Sequence, residues 1–361
     1  MVGLSRRNLL KFGAAVAISP SALLFSDSWA RDKRRRNPFD PYLDAVLVDG
    51  EPPKPTAGSF TVAVLPDTQH YSEKYPETFL AQTGWLAANA TNRNIACVMH
   101  LGDITNCNTP LEWKRAVAAM ELLDGRVPYF FVPGNHDYSE RGHCCDRTTL
   151  LNEFFPVDRF RKLPTFGGVY DQEPDCMENS FHCFSAAGRK FLVLALEFCP
   201  RRDVVRWAQD VVARHADHEA ILMTHAYLYH DDTRYDWKKF GPRQHWSPRS
   251  YSVAQATGDG MDGEELWSEL VSQSGNFVLT LNGHVLGDGL GRAAAKTPEG
   301  RDVHQLLVNF QMRPNGGDGW LRLLEFQPDG RRVKVCDYSP TRGQRNESPQ
   351  NTFEIALSNI S

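Results

Sequence analysis

The feature that most constrains this chain is a series of short apolar runs, each of which stops at a polar residue. Runs of about four to eight apolar, β-branched or aromatic residues bounded by Gly or Pro are typical of buried strands. Helix-length segments separate the runs, which predicts a β-α-β-α-β order with parallel pairing and right-handed crossovers. The first three runs are Phe60–Leu65, Ile95–Leu101 and Val127–Pro133, and they lead to Asp67, to Gly102-Asp103 and to Gly134-Asn135-His136-Asp137.

The rest of the chain continues this alternation and adds two long loops. We predict helices over Pro76–Asn92, Pro110–Leu123, Arg201–Ala216 and Asp262–Gln273, and a hairpin of Phe181–Ser185 with Phe191–Leu196. Further strands are predicted over Ala220–Thr224, Phe277–Leu281, Val303–Phe310, Trp320–Phe326 and Arg332–Asp337. Residues 138–180 and 226–261 are interpreted as insertions over the strand ends, because loops of this length are usually functional or disordered. The Gly-rich segment Arg313–Gly319 is predicted to be a hairpin turn.

The composition is that of a soluble globular protein, with 41% hydrophobic and 23% charged residues. A net charge of −4 gives no general attraction to nucleic acid, and we predict no specific nucleic-acid binding. We divide the chain into a signal peptide (1–30), a basic and Pro-rich leader (31–58), a main domain (59–300) and C-terminal strands that complete the same domain (301–361).

The N-terminus has the pattern of an export signal. Arg6-Arg7 precedes a modestly apolar stretch over Phe12–Phe25, and Ser28-Trp29-Ala30 offers the small residues of a cleavage site. The arginine pair resembles a twin-arginine signal. The stretch is short and contains Pro20, so we expect no transmembrane anchor after cleavage. We therefore expect a periplasmic or extracellular protein; an uncleaved anchor or a chance arginine pair is the alternative.

Five predicted strand ends carry side chains that bind metals. Carboxylate, amide and imidazole donors together suit Mn, Fe or Zn better than Ca or Mg alone. One carboxylate can bridge two such cations, which then hold an attacking hydroxide and a phosphoryl oxygen. Each acid or amide could instead cap the next helix, but five such caps in one order are far less common. The five residues are Asp67, Asp103, Asn135, His225 and His284.

These motifs resemble the calcineurin-like metallophosphoesterase family, whose pattern is DxH, GD, GNH[DE], a His after a strand, and GHxH. The resemblance covers about residues 59 to 285, with all five blocks in order. It implies a four-layer α/β/β/α sandwich with two mixed sheets and a pair of divalent metal ions. It also implies that Asp103 bridges the metals and that His136 faces the substrate, where it protonates the leaving oxygen or stabilises the transition state.

The chain departs from the family pattern at three positions. Gln69 replaces the histidine of DxH, and Leu286 replaces the second histidine of GHxH. In the family both of these imidazoles serve the metal that Asp67 binds, so we predict that this first site is the weaker one, with Gln69 offering an amide oxygen. The Pro66-Asp67-Thr68-Gln69 motif is similar to that of a secreted subgroup. Asn106 replaces an aspartate of the phosphoprotein phosphatase branch, which makes that branch the less favoured one.

We therefore predict an enzyme that hydrolyses phosphate monoesters or diesters with a metal-activated hydroxide. The alternative is a non-catalytic, metal-stabilised binding module outside the cytoplasm with a degraded first metal site. The aromatic and arginine residues of the two insertions are interpreted as ordinary packing, with a lid that selects the leaving group as the alternative. These residues are Tyr138, Tyr227, Tyr229, Trp237, Trp246 and Arg249.

Overall fold

The computed structural model describes residues 42–358, and the fold is reported for this range. The predicted signal peptide and the first part of the leader lie outside the described residues. Two mixed sheets contain all of the strands of the described range. These strands are β1 (Leu47–Asp49), β2 (Phe60–Leu65), β3 (Ile95–His100), β4 (Tyr129–Phe131), β5 (Phe166–Val169), β6 (Ser180–Ala186), β7 (Arg189–Leu196), β8 (Glu219–Thr224), β9 (Phe277–Asn282), β10 (Leu290–Lys296), β11 (Asp302–Val308), β12 (Leu321–Phe326), β13 (Arg332–Ser339), β14 (Gln344–Asn346) and β15 (Thr352–Ala356).

The first sheet has the order β1-β14-β13-β12-β2-β3-β4, and β15 also pairs with β13. Its β2, β3 and β4 are parallel, as the β-α-β-α-β pattern predicts, whereas β12 pairs antiparallel with β2. The second sheet has the order β10-β11-β9-β8-β7-β6-β5, with β7, β8, β9 and β11 parallel. Parallel strands are buried on both faces and are therefore apolar throughout, which is why these runs were visible in the sequence.

Helices cover the outer face of each sheet. The longest are α2 and α3 on the first sheet and α6 on the second. Phe79 of α2 and Trp113 of α3 pack on the first sheet, and Val211 of α6 packs on the second. The helices are α1 (Gln69–Glu73), α2 (Pro76–Asn89), α3 (Pro110–Met120), α4 (Leu151–Phe154), α5 (Val157–Phe160), α6 (Arg202–Arg214), α7 (Trp237–Phe240), α8 (Ser252–Thr257), α9 (Gly263–Leu266) and α10 (Pro314–Gly317).

The inner faces of the two sheets meet through aromatic side chains. Phe191 of β7 lies edge-on to Phe60 of β2 at 5.4 Å and to Phe326 of β12 at 5.5 Å between ring centroids. His182 of β6 stacks on Phe130 of β4 at 4.2 Å. Two sheets in face-to-face contact, each covered by helices, form the predicted four-layer α/β/β/α sandwich. The fold-class prediction is confirmed.

Several local predictions change when the tertiary contacts are known. The segment Arg313–Gly319 is not a hairpin turn, because β11 before it belongs to the second sheet and β12 after it to the first. It contains the one-turn helix α10 instead. The leader segment 31–58 contains β1, which pairs antiparallel with β14 at the edge of the first sheet. The insertion 138–180 contains the unpredicted edge strand β5.

The C-terminal segment extends both sheets of the sandwich. Strand β11 joins the second sheet, and β12 to β15 join the first. Among the described residues, no helix combines the length and the apolar composition that crossing a membrane requires.

Candidate metal centre

Five polar side chains converge where strands of both sheets end. Asp67 follows β2, Asp103 follows β3 and Asn135 follows β4, so the first sheet supplies three of them. His225 follows β8 and His284 follows β9 of the second sheet. Hydrogen bonds from the main chain join the residues of the two sheets, since the N–H of His284 donates to both carboxylate oxygens of Asp67 at 3.1 Å. All five residues are buried.

Three of these side chains form the one group of histidine, cysteine and acidic residues in the described range with the spacing of a metal site. The ligand atoms of Asp103, His225 and His284 all lie within 4.8 Å of one another. Nε2 of His225 is 3.2 Å from Oδ1 of Asp103. A carboxylate with two imidazoles is a donor set that suits zinc, manganese or iron.

The second nitrogen of each imidazole is held by a main-chain carbonyl. Nδ1 of His225 donates to the carbonyl oxygen of Leu101 at 2.7 Å, and Nε2 of His284 donates to that of Trp246 at 2.7 Å. A carbonyl can only accept, so the nitrogen that faces it carries the proton. Nε2 of His225 and Nδ1 of His284 are the nitrogens left to face a cation, which is how metal-binding histidines are usually oriented.

Buried polar atoms without a hydrogen-bond partner coincide with predicted metal ligands. Oε1 of Gln69 and Oδ1 of Asn135 are buried without a hydrogen-bond partner, and Nε2 of His225 faces only the Asp103 carboxylate, at 3.2 Å. Such atoms are uncommon in folded proteins and call for an explanation, of which a bound ion is one. The donor set present therefore fits divalent metal ions. Gln69 is not a histidine, but its buried amide oxygen has no hydrogen-bond partner and can accept a cation.

Glycines make room for the ligands at three strand ends. A Cβ atom on Gly134 would overlap Oδ1 of Asp103, and one on Gly283 would overlap Oδ1 of Asp67. Gly102 has a φ of +96°, and a Cβ atom there would lie 2.7 Å from Nδ1 of His225. The glycines of the GD, GNH and GH motifs are therefore required by the close approach of main chain to ligand.

Asp137 fastens the loop that carries Asp103 to the turn that carries Asn135. Its Oδ2 accepts from the N–H groups of Gly134 at 2.8 Å and Ile104 at 3.0 Å. Its Oδ1 accepts from the N–H of Thr105 at 2.7 Å and from the hydroxyl of Thr105 at 2.8 Å. Four donors on one fully buried carboxylate fix the relative position of two predicted ligands.

His136 is the half-buried member of the GNHD turn. Its N–H donates to Oδ1 of Asp103 at 2.9 Å, and its Nδ1 donates to the main-chain carbonyl of Asn106 at 2.8 Å. The side-chain amide of Asn106 does not make this contact and lies beside Sγ of Cys107. The contact with a carbonyl leaves Nε2 of His136 as the nitrogen that is available to a substrate.

Burial and charge act in opposite directions on the ligands. Burial lowers the pKa of His225, but the Asp103 charge and hydrogen bond more than offset this and raise it to about 9. The pKa of Asp103 is correspondingly held below its ordinary value by His225 and His136, against the effect of burial. Burial, together with the His225 charge, lowers the pKa of His284 to about 3. Because a ligand must be deprotonated to bind a cation, metal binding would release the proton of His225.

The Asp67 side of the centre is held by residues that the sequence did not reveal. Nδ2 of Asn309 donates to Oδ2 of Asp67 at 2.9 Å, and Oδ1 of Asn309 accepts from the N–H of Gln311. Burial, with the Asp103 charge, raises the pKa of Asp67 above its ordinary value. Asn309 follows β11 and so obeys the same strand-end rule as the other ligands. It was missed because the predicted strand ran through Phe310.

Other polar candidates near the centre have structural positions. His70 contacts Glu73 at 3.4 Å and does not join the ligand cluster. His100 is buried between the N–H of Gly102 and the hydroxyl of Thr68, at 3.2 and 2.9 Å, as expected for a packed strand residue.

The aromatic residues of the insertions divide into two groups. Tyr138, Tyr227 and Tyr229 are buried, in agreement with ordinary packing, whereas Trp246 is 40% exposed. Tyr251 packs close to His284, with 6.0 Å between the ring centroids.

Comparisons with known proteins identify the family to which this chain is similar. A model of the calcineurin-like phosphoesterase family matches residues 60–288. A Bacillus subtilis (strain 168) protein, YvnB, is 31% identical over 319 residues, which are 85% of this chain and 22% of that protein, so the chain spans about a fifth of this relative.

Two solved phosphatase structures resemble the fold. The purple acid phosphatase PPD1 from yellow lupin (Lupinus luteus) is 14% identical, with a TM-score of 0.47, over 84% of this chain and 55% of that one. A dimetal phosphatase from Danio rerio is 13% identical, with a TM-score of 0.46, over 83% of this chain and 99% of that one. The family match covers more than half of the chain, and the chain belongs to the calcineurin-like phosphoesterase family of metal-dependent hydrolases that act on phosphoric esters.

Proposed function

We propose that this chain hydrolyses phosphate monoesters or diesters at the centre formed by the five strand ends, with Asp103 shared between two divalent cations. The observation that carries the proposal is the cluster of Asp103, His225 and His284, together with unpartnered buried amide oxygens on the predicted ligands Gln69 and Asn135. A purely structural role would usually satisfy such oxygens within the protein. One acid, two imidazoles and two unsatisfied amide oxygens among the predicted ligands support a site for cations.

The chain's own residues divide the work. Asp103, Asn135, His225 and His284 would hold one cation, and Asp67, Gln69 and Asp103 would hold the other. When bound, two such ions act as Lewis acids and lower the pKa of a hydrolytic water towards ~7. His136 donates a proton from Nε2 to the leaving oxygen, while the Asn106 carbonyl holds its Nδ1–H in either charge state.

We propose that the Asp67 site binds its cation more weakly than the other site. Its donors are carboxylate and amide oxygens alone, since Leu286 has no donor atom and Gln69 replaces an imidazole. Oxygen donors suit hard cations such as Mn²⁺ or Mg²⁺, whereas imidazoles favour zinc and iron. Titration of the metal-free protein with Mn²⁺ should show one tight and one weak event. Two events of equal affinity would contradict the weaker site.

Substitution of the shared carboxylate tests the proposed function. Asp103→Ala is expected to lose both cations and all turnover of p-nitrophenyl phosphate and bis(p-nitrophenyl) phosphate, because neither site is complete without it. Metal content is measured by elemental analysis. Wild-type hydrolysis in this variant would refute the mechanism.

The role of His136 is tested separately. His136→Ala should keep both cations and lower turnover by about 10²–10⁴-fold, the usual contribution of a general acid. Loss of metal in this variant would instead make His136 a ligand.

A non-catalytic binding module is the second candidate, and the changes at Gln69 and Leu286 are the observations that favour it. One bound cation per chain with no turnover of either ester would support the module. Two cations with turnover would support the enzyme.

We further propose that the chain is exported and belongs to the secreted subgroup with the Pro66-Asp67-Thr68-Gln69 motif. The paired Arg6-Arg7 and the small residues before Arg31 support export. Expression of the full chain with Arg6 and Arg7 both replaced by Lys should abolish export and leave the unprocessed chain in the cytoplasm, because twin-arginine export requires the pair. Normal export of that variant would contradict the proposal.

A further inference from the structure

Two exposed apolar side chains lie on segments that are hydrogen-bonded to the metal centre. Single exposed hydrophobic residues are common on protein surfaces and need no explanation by themselves. Among the eight that are exposed in the described part, however, Trp246 and Met312 stand apart by their connection to predicted ligands. The eight are Leu43, Val46, Leu80, Leu111, Leu122, Leu163, Trp246 and Met312.

The main chain of Trp246 is hydrogen-bonded to His284 of the centre. Its carbonyl accepts from Nε2 of His284 at 2.7 Å, and the preceding carbonyl, of His245, accepts from the hydroxyl of the buried Tyr235 at 3.0 Å. Trp246 has a φ of +57°, a conformation that bulky residues rarely adopt. The main chain of Trp246 is therefore fixed beside a predicted ligand, while 40% of the residue remains exposed.

Met312 belongs to the loop that contacts Asp67. This loop begins at Asn309, whose amide donates to Asp67 at 2.9 Å. It continues to Gly316, where a Cβ atom would lie 2.5 Å from Cβ of His70, so the loop packs on the helix that begins at Gln69. Met312 is three positions after Asn309, which places their Cα atoms at most ~11 Å apart. Met312 is 59% exposed.

We propose that Trp246 and Met312 form an apolar rim, one residue on each side of the centre, that binds a planar aromatic ring in the leaving group of the phosphate ester. This inference rests on the proposed function. A ring stacks on indole through its offset or edge-on faces, and a thioether makes favourable contacts with ring edges. The phosphoryl group would lie between the two sides, at the ligand cluster, with the ring extending outwards to the rim.

A matched pair of substrates tests the rim in the Mn²⁺-loaded protein. Ethyl phosphate and 2-phenylethyl phosphate release alcohols of similar basicity, so a difference in kcat/KM reports on binding of the ring. The methyl diesters of the same alcohols cover the diester case. Wild type is expected to prefer the phenylethyl ester about tenfold or more.

Variants of the rim should change the ratio of the two kcat/KM values. Trp246→Ala is expected to lower the ratio about tenfold, Trp246→Phe to restore part of it, and Met312→Ala to lower it about threefold. Trp246→Gly accepts a positive φ without strain and should match Trp246→Ala, which separates loss of the indole from a change in the main chain. Leu122→Ala, at a residue with similar exposure of 42%, should leave the wild-type ratio unchanged.

The outcomes separate the two proposals. A ratio near one in wild type, or a ratio that Trp246→Ala and Trp246→Gly leave unchanged, would overturn the rim while hydrolysis itself supports the enzyme. If neither ester is hydrolysed, the proposed function fails, and calorimetry with 2-phenylethylphosphonate and ethylphosphonate decides the rim. Tighter binding of the aromatic phosphonate that is lost in Trp246→Ala supports it, and equal binding of the two overturns it.

Discussion

Loss of the hydrogen bonds to the Asp137 carboxylate should test the geometry of the metal centre most clearly. Asp137→Asn is the smallest change that removes the charge of this group. The carboxylate accepts four hydrogen bonds of 2.7–3.0 Å, three of them from main-chain N–H groups. An asparagine has one acceptor oxygen and one donor NH₂. In either orientation, the NH₂ group must face donors.

The cost follows from the cheaper of the two orientations. With NH₂ in place of Oδ2, the N–H groups of Gly134 and Ile104 both lose their acceptor. With NH₂ in place of Oδ1, only the Thr105 N–H is stranded, because the Thr105 hydroxyl can turn and accept. A buried donor without a partner costs about 1–3 kcal/mol, and the bonds that remain lose the strength that a charge adds. We expect a loss of about 2–4 kcal/mol in the free energy of unfolding.

The assay is urea unfolding of the metal-free protein at pH 8. Burial, with the charge of Asp103, raises the pKa of Asp137 to about 6, so the wild-type carboxylate is ionised at pH 8. Below about pH 6 the wild-type group takes up a proton and becomes a donor itself, so the difference between the two proteins should narrow. The variant should also bind the cation held by Asp103, Asn135, His225 and His284 about 10–100-fold more weakly, which is the usual effect of losing an interaction that orients ligands.

Asp146→Asn provides the matched control. Asp146 accepts from the N–H of Thr148 at 2.8 Å and from the hydroxyl groups of Thr148 and Ser139, but it is exposed, so water can replace the lost acceptor. Its substitution should cost less than about 0.5 kcal/mol, as surface changes usually do. If Asp137→Asn is as mild as Asp146→Asn at pH 8, and its cation affinity is unchanged, the four-bond arrangement is wrong.

Two further predictions concern packing and pH. Gly134→Ala should lower the free energy of unfolding by more than about 2 kcal/mol or abolish metal binding, because its Cβ would overlap Oδ1 of Asp103. The control is Gly84→Ala, in a helix where the nearest neighbour of the new Cβ lies at 3.7 Å. It should be neutral or slightly stabilising in urea unfolding. Burial lowers the pKa of His182 to about 3, so the unfolded chain binds the extra proton between about pH 6.5 and 3, and stability from this group is present above pH 6.5 and lost as the pH falls. His182→Phe should therefore reduce the pH dependence of the unfolding free energy by up to about 1.4 kcal/mol per pH unit in that window. His143→Phe, at an exposed site, is the control. If both variants show the same pH dependence, the reasoning is wrong.

The sequence predicted the strands that are buried on both faces and missed three of the four strands at the sheet edges, β1, β5 and β10. Strands β2 and β8 are continuous apolar runs, and the packing of both faces demands this composition. The edge strand β10 reads Leu-Gly-Arg-Ala-Ala-Ala-Lys and the edge strand β1 has three residues, so neither carries a local signal. Both form because a neighbouring strand presents unpaired main-chain groups, which is a tertiary cause. The assignment of Arg313–Gly319 to a hairpin failed for the same reason, since only sheet membership distinguishes a hairpin from a crossover.

The candidate site shows the same division between local and tertiary signals. Asp103 and Asn135 could be singled out because carboxyl ends of parallel strands meet at one edge of a sheet. The carbonyl of Trp246 that orients His284 could not, because it comes from a loop residue 38 positions earlier and depends on no side-chain type. Asn309 had the right residue type but a misplaced strand end. Contacts made by the main chain leave no pattern in the sequence.

Hydrogen bonds join the Asp67 half of the centre to the half that contains His225 and His284. This affects what the replacement of two family histidines by Gln69 and Leu286 would do. Asp67 receives its hydrogen bonds from the N–H of His284, a ligand of the other half, and from Asn309. The N–H of Gly283 donates to the carbonyl of His225 at 3.1 Å. The position of Asp67 is therefore set by the half that keeps its full donor set, whether or not a cation is bound beside it. Under the proposed function, Gln69 and Leu286 would change the affinity and the preferred cation of the first site, while its carboxylates would stay in place for catalysis.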